Sequence, residues 1–293
     1  MPDLAESPAL RIGYLGPEGT FSHQALREAP PPAGAQGVPL ATIYGTVIAV
    51  QERAVELALV PIENALEGSV DATLDALAGE AHEVTIVGEL LQPIRNSLIA
   101  AAPVTIEEIV TVYSHPQATG QCARFLRERL PRAEIRAASS TAEAVRAVAG
   151  TGLPGAAALG NRLAAELYGA HVLLDHVDDE PDNVTRFVWL ARSDRAGELR
   201  GLVERGRRAK TSIVFWGAGD EASGWLVACL SELSTRDVSL TRIESRPRRI
   251  GLGHYMFFAD FEGATTSATV AQAITGLRGR CQDVRILGSY RAA

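Results

Sequence analysis

Short apolar runs alternate with stretches of helical periodicity over about the first 190 residues of the chain. The strand-like runs are almost wholly apolar, which is typical of strands that are covered on both faces. Their alternation with helices indicates an α/β layer with a largely parallel sheet. The pattern predicts strands at 10–15, 57–62, 109–113, 156–159, 172–174 and 184–190, and helices at 23–27, 70–77 and 116–130.

The last 80 or so residues follow a different order of elements. Two helical stretches are each flanked by strands in the order βαββαβ, which is the ferredoxin-like split βαβ arrangement of an α+β domain. Strands are predicted at 211–216, 238–245, 254–262 and 284–287, and helices at 223–233 and 267–277.

Residues 193–209 separate these two patterns. They are polar and rich in arginine and glycine, which predicts an interdomain linker with a short helix near 199–204. We therefore expect one domain over residues 8–192, a linker over 193–209 and a second domain over 210–293.

Charge and hydropathy narrow the classes of function. The formal net charge is −7, and no apolar run approaches the ~20 residues needed to cross a bilayer. The acidic N-terminus lacks the basic and apolar regions of a signal peptide. An acidic chain without a basic face is also a poor partner for nucleic acid. We therefore expect a cytoplasmic protein that binds neither membranes nor nucleic acid.

The placement of lysine, cysteine and histidine argues against several chemistries. Lys210 is the only lysine and ends the arginine-rich segment, so neither a P-loop nor a Schiff-base enzyme is expected. The three cysteines are far apart, and the six histidines show no metal-binding spacing. We therefore expect no metal and no cofactor. The cysteines are Cys122, Cys229 and Cys281.

Four polar clusters lie where predicted strands and helices meet. Those at 16–23, 61–69 and 114–121 follow a strand and precede a helix, and the fourth, at 183–187, opens a strand. In open α/β sheets, ligands bind at the carboxyl ends of strands against helix N-termini. Each cluster alone also fits ordinary turns and helix caps. Together they supply amide, hydroxyl and backbone donors that suit a small anionic ligand.

The same clusters are similar to the sequence motifs of prephenate dehydratases. Further segments near the C-terminus resemble the ACT regulatory domain of that family. The motifs occur in a fixed order and extend over almost the whole chain, which makes the resemblance specific. The matching segments are 14–25, 60–68, 114–122 and 183–187, followed by 240–247, 257–263 and 287–290.

The resemblance implies an enzyme that converts prephenate to phenylpyruvate, with loss of CO2 and water, in phenylalanine biosynthesis. It implies a two-lobed catalytic domain like a type II periplasmic binding protein, followed by an ACT domain. That domain would bind phenylalanine and join the chains in a homodimer or homotetramer. Aromatisation of the ring is strongly downhill, so positioning and exclusion of water suffice, with an arginine to offset the charge of the substrate.

Carried over motif by motif, the resemblance also implies site residues. Thr185 would hydrogen-bond the departing hydroxyl, and Asn64, Ser114 and Gln121 would hold substrate oxygens. Glu63 would donate a proton or fix its turn. Arg186 would bind substrate or pair with Asp182 or Glu180. The catalytic set is Thr185, Glu63, Asn64, Ser114 and Gln121; the substrate-binding set is Thr20, Phe21, Arg186 and Phe187; the effector-binding set is Gly224, Trp225, Leu226, Glu244 and Ser245.

Two other functions stay open. An arogenate dehydratase would use the same fold and chemistry on a substrate with an amine in place of the keto group. A non-enzymatic amino-acid sensor would join a two-lobed binding domain to an ACT domain. The Thr-Arg-Phe sequence at 185–187, beside Asn64 and Gln121, favours an enzyme.

Trp225 departs from the family pattern, which commonly has alanine there. An indole that points into the effector site would weaken inhibition by phenylalanine. One that turns outwards would strengthen the contact between subunits.

Overall fold

The computed structural model describes residues 9–29, 34–217 and 222–293. The chain begins with a group of strands and helices that we call the first lobe. Its first two helices start at capping threonines, since Thr20 accepts the N–H of His23 at 3.2 Å and Thr42 accepts that of Gly45 at 2.9 Å. The elements are β1 (Arg11–Leu15), α1 (Phe21–Glu28), β2 (Gln36–Leu40), α2 (Ile43–Gln51), β3 (Leu57–Asn64), β4 (Gly68–Ser69), α3 (Asp71–Ala78) and β5 (Val84–Pro93).

The chain then crosses into a second lobe, which has its own five-stranded sheet in the order β10-β6-β9-β7-β8. The predicted helix at 116–130 is two helices here, broken at Cys122. The break occurs because the Asp179 carboxylate accepts the N–H groups of Arg124 and Phe125 and so starts a new helix. The elements are β6 (Ser97–Ala100), a 3-10 turn (Ile106–Glu108), β7 (Thr111–Ser114), α4 (Pro116–Gln121), α5 (Ala123–Arg129), β8 (Glu134–Ala137), α6 (Thr141–Thr151), β9 (Ala156–Gly160), α7 (Arg162–Tyr168) and β10 (His171–Leu174).

Strand β11 (Val184–Arg192) returns to the first lobe and lies between β3 and β5, antiparallel to both. In the second lobe, β6 is likewise antiparallel to β9 and β10. The expectation of a largely parallel sheet was therefore wrong, and both sheets are mixed. The chain crosses between the lobes twice. The strand that follows each crossing, β6 in the second lobe and β11 in the first, runs antiparallel to its neighbours.

The segment predicted as a linker contains helix α8 (Ala196–Val203), longer than the short helix expected at 199–204. Leu199 and Val203 are buried in the core of the first lobe. Helix α8 therefore packs as part of the first lobe instead of crossing solvent.

The C-terminal unit, residues 209–291, has the predicted βαββαβ order, which is confirmed. Its four strands are antiparallel and lie in the order β13-β14-β12-β15. Helices α9 and α10 cover one face of this sheet. The elements are β12 (Ala209–Trp216), α9 (Trp225–Ser234), β13 (Leu240–Pro247), β14 (Tyr255–Glu262), α10 (Ala268–Arg278) and β15 (Asp283–Arg291).

The sheet of the C-terminal unit continues into that of the first lobe. Strand β15 pairs with β5 at Gly288 and Ile86, which joins ten strands in one sheet. A Cβ atom at Gly288 would lie 2.3 Å from the Ile86 carbonyl oxygen, so only glycine fits at this approach. Val214 and Phe258 also share a buried apolar cluster with Val60 of the first lobe. None of the helices in the described ranges is long and apolar enough to cross a membrane.

Candidate active site

A cavity of about 430 Å³ lies between the two lobes. The first lobe contributes the turn after β1, the end of β3 and the start of β11. The second lobe contributes the starts of α4 and α6. Five of the predicted catalytic and substrate-binding residues line this cleft: Thr20, Phe21, Asn64, Gln121 and Thr185.

Asn64 and Thr185 form a buried pair at the floor of the cleft. The Asn64 amide donates to Thr185 Oγ1 at 2.9 Å and to Asn183 Oδ1 at 2.8 Å. Its carbonyl oxygen accepts the backbone N–H groups of Leu66 and Glu67. The Asn64 amide is therefore engaged by the protein, so this side chain orients Thr185. Because Thr185 Oγ1 accepts from Asn64, its own proton is free to point into the cleft.

Ser114 ends β7 and is fully buried beside the cleft, but it is not part of the lining. Its hydroxyl has no hydrogen-bond partner among the described residues. Since buried polar atoms are nearly always paired, this hydroxyl is a donor without an acceptor next to the cavity. Gln121 ends α4 and lies on the cleft wall.

Glu63, Arg186 and Phe187 lie outside the cleft, unlike the other predicted residues of β3 and β11. The Arg186 guanidinium donates to the carboxylates of Glu63, Glu89 and Asp260. Phe187 is 2% exposed and packs in the core of the first lobe. The structure thus gives no support for substrate contacts by Arg186 and Phe187, and the alternative partners Asp182 and Glu180 do not pair with Arg186 either.

The geometry of the strands explains this division. Strands β3 and β11 are antiparallel, with Asn64 opposite Thr185 and Glu63 opposite Arg186. Successive side chains of a strand point to opposite faces. The Asn64–Thr185 pair therefore faces the cleft, and the Glu63–Arg186 pair faces the C-terminal unit.

Helix N-termini supply the positive potential of the cleft. Among the lining residues, all of which the structure describes, there is no lysine or arginine. The expected arginine is therefore missing from this wall. The cavity instead meets the first turns of α1, α2 and α6, from both lobes, whose N–H groups lack acceptors within their own helices. Such an arrangement favours an anionic ligand held from both lobes.

The turn after β1 is fixed by His23, which the motif analysis did not single out as a site residue. Its Nδ1 accepts the N–H of Gly19 at 3.0 Å, and its ring stacks on Tyr14 with centroids 5.0 Å apart. Burial lowers the pKa of His23, which keeps Nδ1 free to accept. Gly19 has φ of +86° and lies against Ala164 of the second lobe, so a side chain here would be strained. The sequence offers only one signal for this role, a histidine three residues after a capping threonine. That spacing is too common to indicate a site residue.

Comparison with known proteins identifies the family. The family model described as prephenate dehydratase matches residues 12–195. The chain belongs to the prephenate dehydratase family. The predicted family is thus confirmed. The prephenate dehydratase of Mycolicibacterium vanbaalenii is 39% identical over 95% of this chain and 90% of its own length.

Solved structures show the same fold over nearly the full length. The prephenate dehydratase of Arthrobacter aurescens, solved in complex with L-Phe, has a TM-score of 0.85 and 36% identity, over 96% of this chain and 90% of that one. GqqA, described as a novel type of quorum quenching acylase, has a TM-score of 0.81 and 29% identity, over 97% and 98%.

In this member of the prephenate dehydratase family, the predicted effector residues separate into two places. Gly224, Trp225 and Leu226 line a cavity of about 230 Å³ on the C-terminal unit. Glu244 and Ser245 lie on β13, and Glu244 accepts from the Ser69 hydroxyl of the first lobe at 2.7 Å.

The Trp225 indole lies within its own unit. It packs against Phe215 and Phe257, with ring centroids 6.2 and 5.9 Å away, and its Nε1 donates to the Arg280 carbonyl. The ring forms one wall of the small cavity, beside Gly224 and Leu226.

Proposed function

We propose that the cleft converts prephenate to phenylpyruvate, CO2 and water, as the activity of a prephenate dehydratase. The observation that carries this proposal is the Asn64–Thr185 pair, buried in a two-lobed cleft with helix N-termini around it. The sequence match to curated prephenate dehydratases over almost the whole chain supports it.

The two carboxylates of prephenate would be held from opposite lobes. The first turn of α1 begins at Thr20, and the first turn of α6 begins at Ser140, whose hydroxyl accepts the N–H of Glu143. Free N–H groups of helix first turns are a common site for anions. Backbone N–H groups can hold each carboxylate without a charged side chain beside it.

Thr185 would assist loss of the ring hydroxyl. In this step the bond between the ring and its carboxylate breaks, its electron pair completes the aromatic ring, and the C–O bond to the hydroxyl breaks. The Thr185 hydroxyl donates a hydrogen bond to the departing oxygen, which leaves as water after net uptake of one proton from solvent. Asn64 holds Thr185 at the required angle. A positioned donor of this kind contributes to the transition state more than to ground-state binding.

The remaining predicted residues would act around this centre. Gln121, on the opposite wall, and Ser114, with its unpaired hydroxyl, would hold substrate oxygens after the lobes close. Glu63 faces away from the cleft and so would act on the turn that follows β3.

The C-terminal unit would be an ACT regulatory domain of residues 210–293, and the two lobes a catalytic domain like that of type II periplasmic binding proteins. The βαββαβ topology of the C-terminal unit supports its assignment as an ACT domain. A relative solved in complex with L-Phe makes phenylalanine the expected effector. Apolar side chains exposed on the unit, among them Val227, Ile243 and Leu252, would join it to a second copy in a homodimer or homotetramer. The cytoplasm is the compartment expected of such a biosynthetic enzyme.

Purified protein incubated with prephenate, and separately with arogenate, tests the function. Mass spectrometry of the products should show phenylpyruvate from prephenate and little phenylalanine from arogenate. The opposite preference would make the protein an arogenate dehydratase. Binding of either compound without turnover would favour the amino-acid sensor.

A further inference from the structure

Six charged side chains join strands β3, β5 and β11 to the C-terminal unit at a contact that is largely buried apart from Glu63, which is 37% exposed, and we call this contact the charge cluster. Three carboxylates alternate with three cations, so the charges balance. The first lobe contributes Glu63, Glu89 and Arg186, and the C-terminal unit contributes Lys210, Arg242 and Asp260.

Arg186 lies at the centre of this cluster. Its side chain is 8% exposed, and it bonds three carboxylates at once, with Nε 3.0 Å from Glu63 and Nη1 3.1 Å from Glu89. The third carboxylate, Asp260, comes from β14 of the C-terminal unit and is 4% exposed. Charges buried to this degree are little screened by salt, and each depends on its partners for compensation.

Asp260 is held from its own side as well. It lies 3.8 Å from Arg242 Nη1, and its backbone carbonyl accepts the Thr241 hydroxyl at 3.0 Å. Arg242 in turn donates to the hydroxyl of Ser69 on β4. The carboxylate therefore has a fixed position relative to the sheet of the C-terminal unit.

The cluster is one residue away from the catalytic pair on both strands. Arg186 follows Thr185 on β11, and Glu63 precedes Asn64 on β3. Because Thr185 and Arg186 are neighbours on one strand, a shift of the β11 backbone that the Arg186 contacts hold in place also shifts the Thr185 hydroxyl.

We propose that Asp260 is a positioning residue for Thr185, which acts through Arg186 to fix strand β11 at the edge of the cleft. The proposal rests on the proposed function of Thr185 and extends it to a residue of the C-terminal unit. It assigns Arg186 a structural connection between the two parts of the molecule in place of substrate binding.

The test compares three variants of the full-length protein. Asp260→Asn keeps the shape of the side chain and removes its charge, so kcat for prephenate should fall about tenfold or more, because a small misplacement of a catalytic group is costly. KM should stay within about twofold, since the contact of Thr185 with the substrate forms chiefly in the transition state. Asp260→Glu restores the charge and should recover part of kcat.

The matched control is Asp75→Asn. Asp75 accepts from Arg246 and Arg249 of the C-terminal unit at the same interface, but it lies on α3, and its side-chain hydrogen bonds go to these arginines and not to β3 or β11. Its kcat should equal that of the wild type. Thermal unfolding of each variant shows whether it is folded, and Asp260→Glu decides the question if Asp260→Asn does not fold.

A double variant tests whether Asp260 acts through Arg186. If it does, Asp260→Asn in an Arg186→Gln background should lower kcat no further than Arg186→Gln alone. Three results would overturn the inference. Folded Asp260 variants could have the kcat of the wild type, Asp75→Asn could lower kcat as much as Asp260→Asn does, or the losses of kcat could add in the double variant. An inactive wild type would refute the proposed function itself, and this inference with it.

Discussion

Thr185 is the residue on which the proposed chemistry depends. Thr185→Val keeps the shape of the side chain and removes the hydroxyl, so kcat for prephenate should fall about a hundredfold or more. KM should change much less, because the contact forms chiefly in the transition state. Steady-state kinetics measure both constants, and Thr185→Ser, which keeps a hydroxyl, is the control. An effect confined to KM would show that Thr185 positions the substrate and does not assist the chemical step.

His23 gives the turn beside the cleft a dependence on pH. Its folded-state pKa lies below the usual value of 6.5, and the first cause is burial. The folded protein thus binds this proton less tightly than the unfolded chain does. The stabilisation by His23 is complete above pH 6.5 and is lost as the pH falls through the folded-state pKa.

The variant His23→Asn tests this dependence, since its amide oxygen can accept the Gly19 N–H without titrating. The free energy of unfolding, measured in denaturant between pH 7.5 and 5, should fall more steeply for the wild type than for this variant. His171→Asn, at an exposed position of β10, should follow the wild type. Parallel curves for wild type and His23→Asn would exclude the role of His23.

At this scale the sequence predicted which residues lie together, but not which way they face. Thr185 and Asn64 meet in the cleft as the motifs indicate. Arg186 and Glu63 belong to the same motifs and lie on the opposite face, because the direction of a side chain depends on strand pairing. Asp260, the partner of Arg186 from the C-terminal unit, is 74 residues further along the chain, and no local pattern connects the two.

Helix α6 directs its N-terminus at the cleft, and its capping serine can be tested against a matched helix. Ser140→Ala should lower the free energy of unfolding by about 1 kcal/mol and raise KM for prephenate about two- to fivefold, as the first turn loses its cap. Ser267 caps α10, which like α6 has 11 residues but lies in the C-terminal unit. Ser267→Ala should cost similar stability and leave KM unchanged. Equal effects of both variants on KM would show that the α6 N-terminus does not bind substrate.

Element types followed from the apolar pattern, whereas their directions and packing did not. The strands at 57–62 and 184–190 were predicted with ends close to those observed. Their antiparallel pairing follows from the crossing of the chain between lobes, which periodicity does not encode. Helix α8 was predicted as part of a linker because the segment 193–209 around it is rich in arginine and glycine, and the burial of Ala196, Leu199 and Val203 depends on packing that no local pattern shows.

Trp225 lies where the stability of the C-terminal unit and its proposed binding of phenylalanine can be tested together. Trp225→Ala would remove the indole from beside Phe215 and Phe257, so the free energy of unfolding should fall, by less than the about 3–5 kcal/mol typical of a fully buried ring because Trp225 is partly exposed. Since the ring is a wall of the small cavity and does not fill it, inhibition by phenylalanine should not tighten. Prephenate turnover measured against phenylalanine concentration checks this.

A variant on the other face of the same sheet provides the control for Trp225. Trp216 packs beside the first lobe, and its ring lies under the Arg248 guanidinium at 5.2 Å. Trp216→Ala should reduce stability without changing the phenylalanine concentration that gives half inhibition. Tighter inhibition in Trp225→Ala alone would show that the indole occludes the effector site.

The strand pairing between β15 and β5 has a consequence for how the molecule opens. The first lobe and the C-terminal unit share one sheet and one apolar cluster, so neither can unfold without exposing the core of the other. The second lobe has a separate sheet and separate clusters. Amide hydrogen exchange in the native state should therefore show two cooperative classes. Protons of β5 and β15 should exchange together despite nearly 200 intervening residues, while those of β7 and β9 exchange as a class of their own.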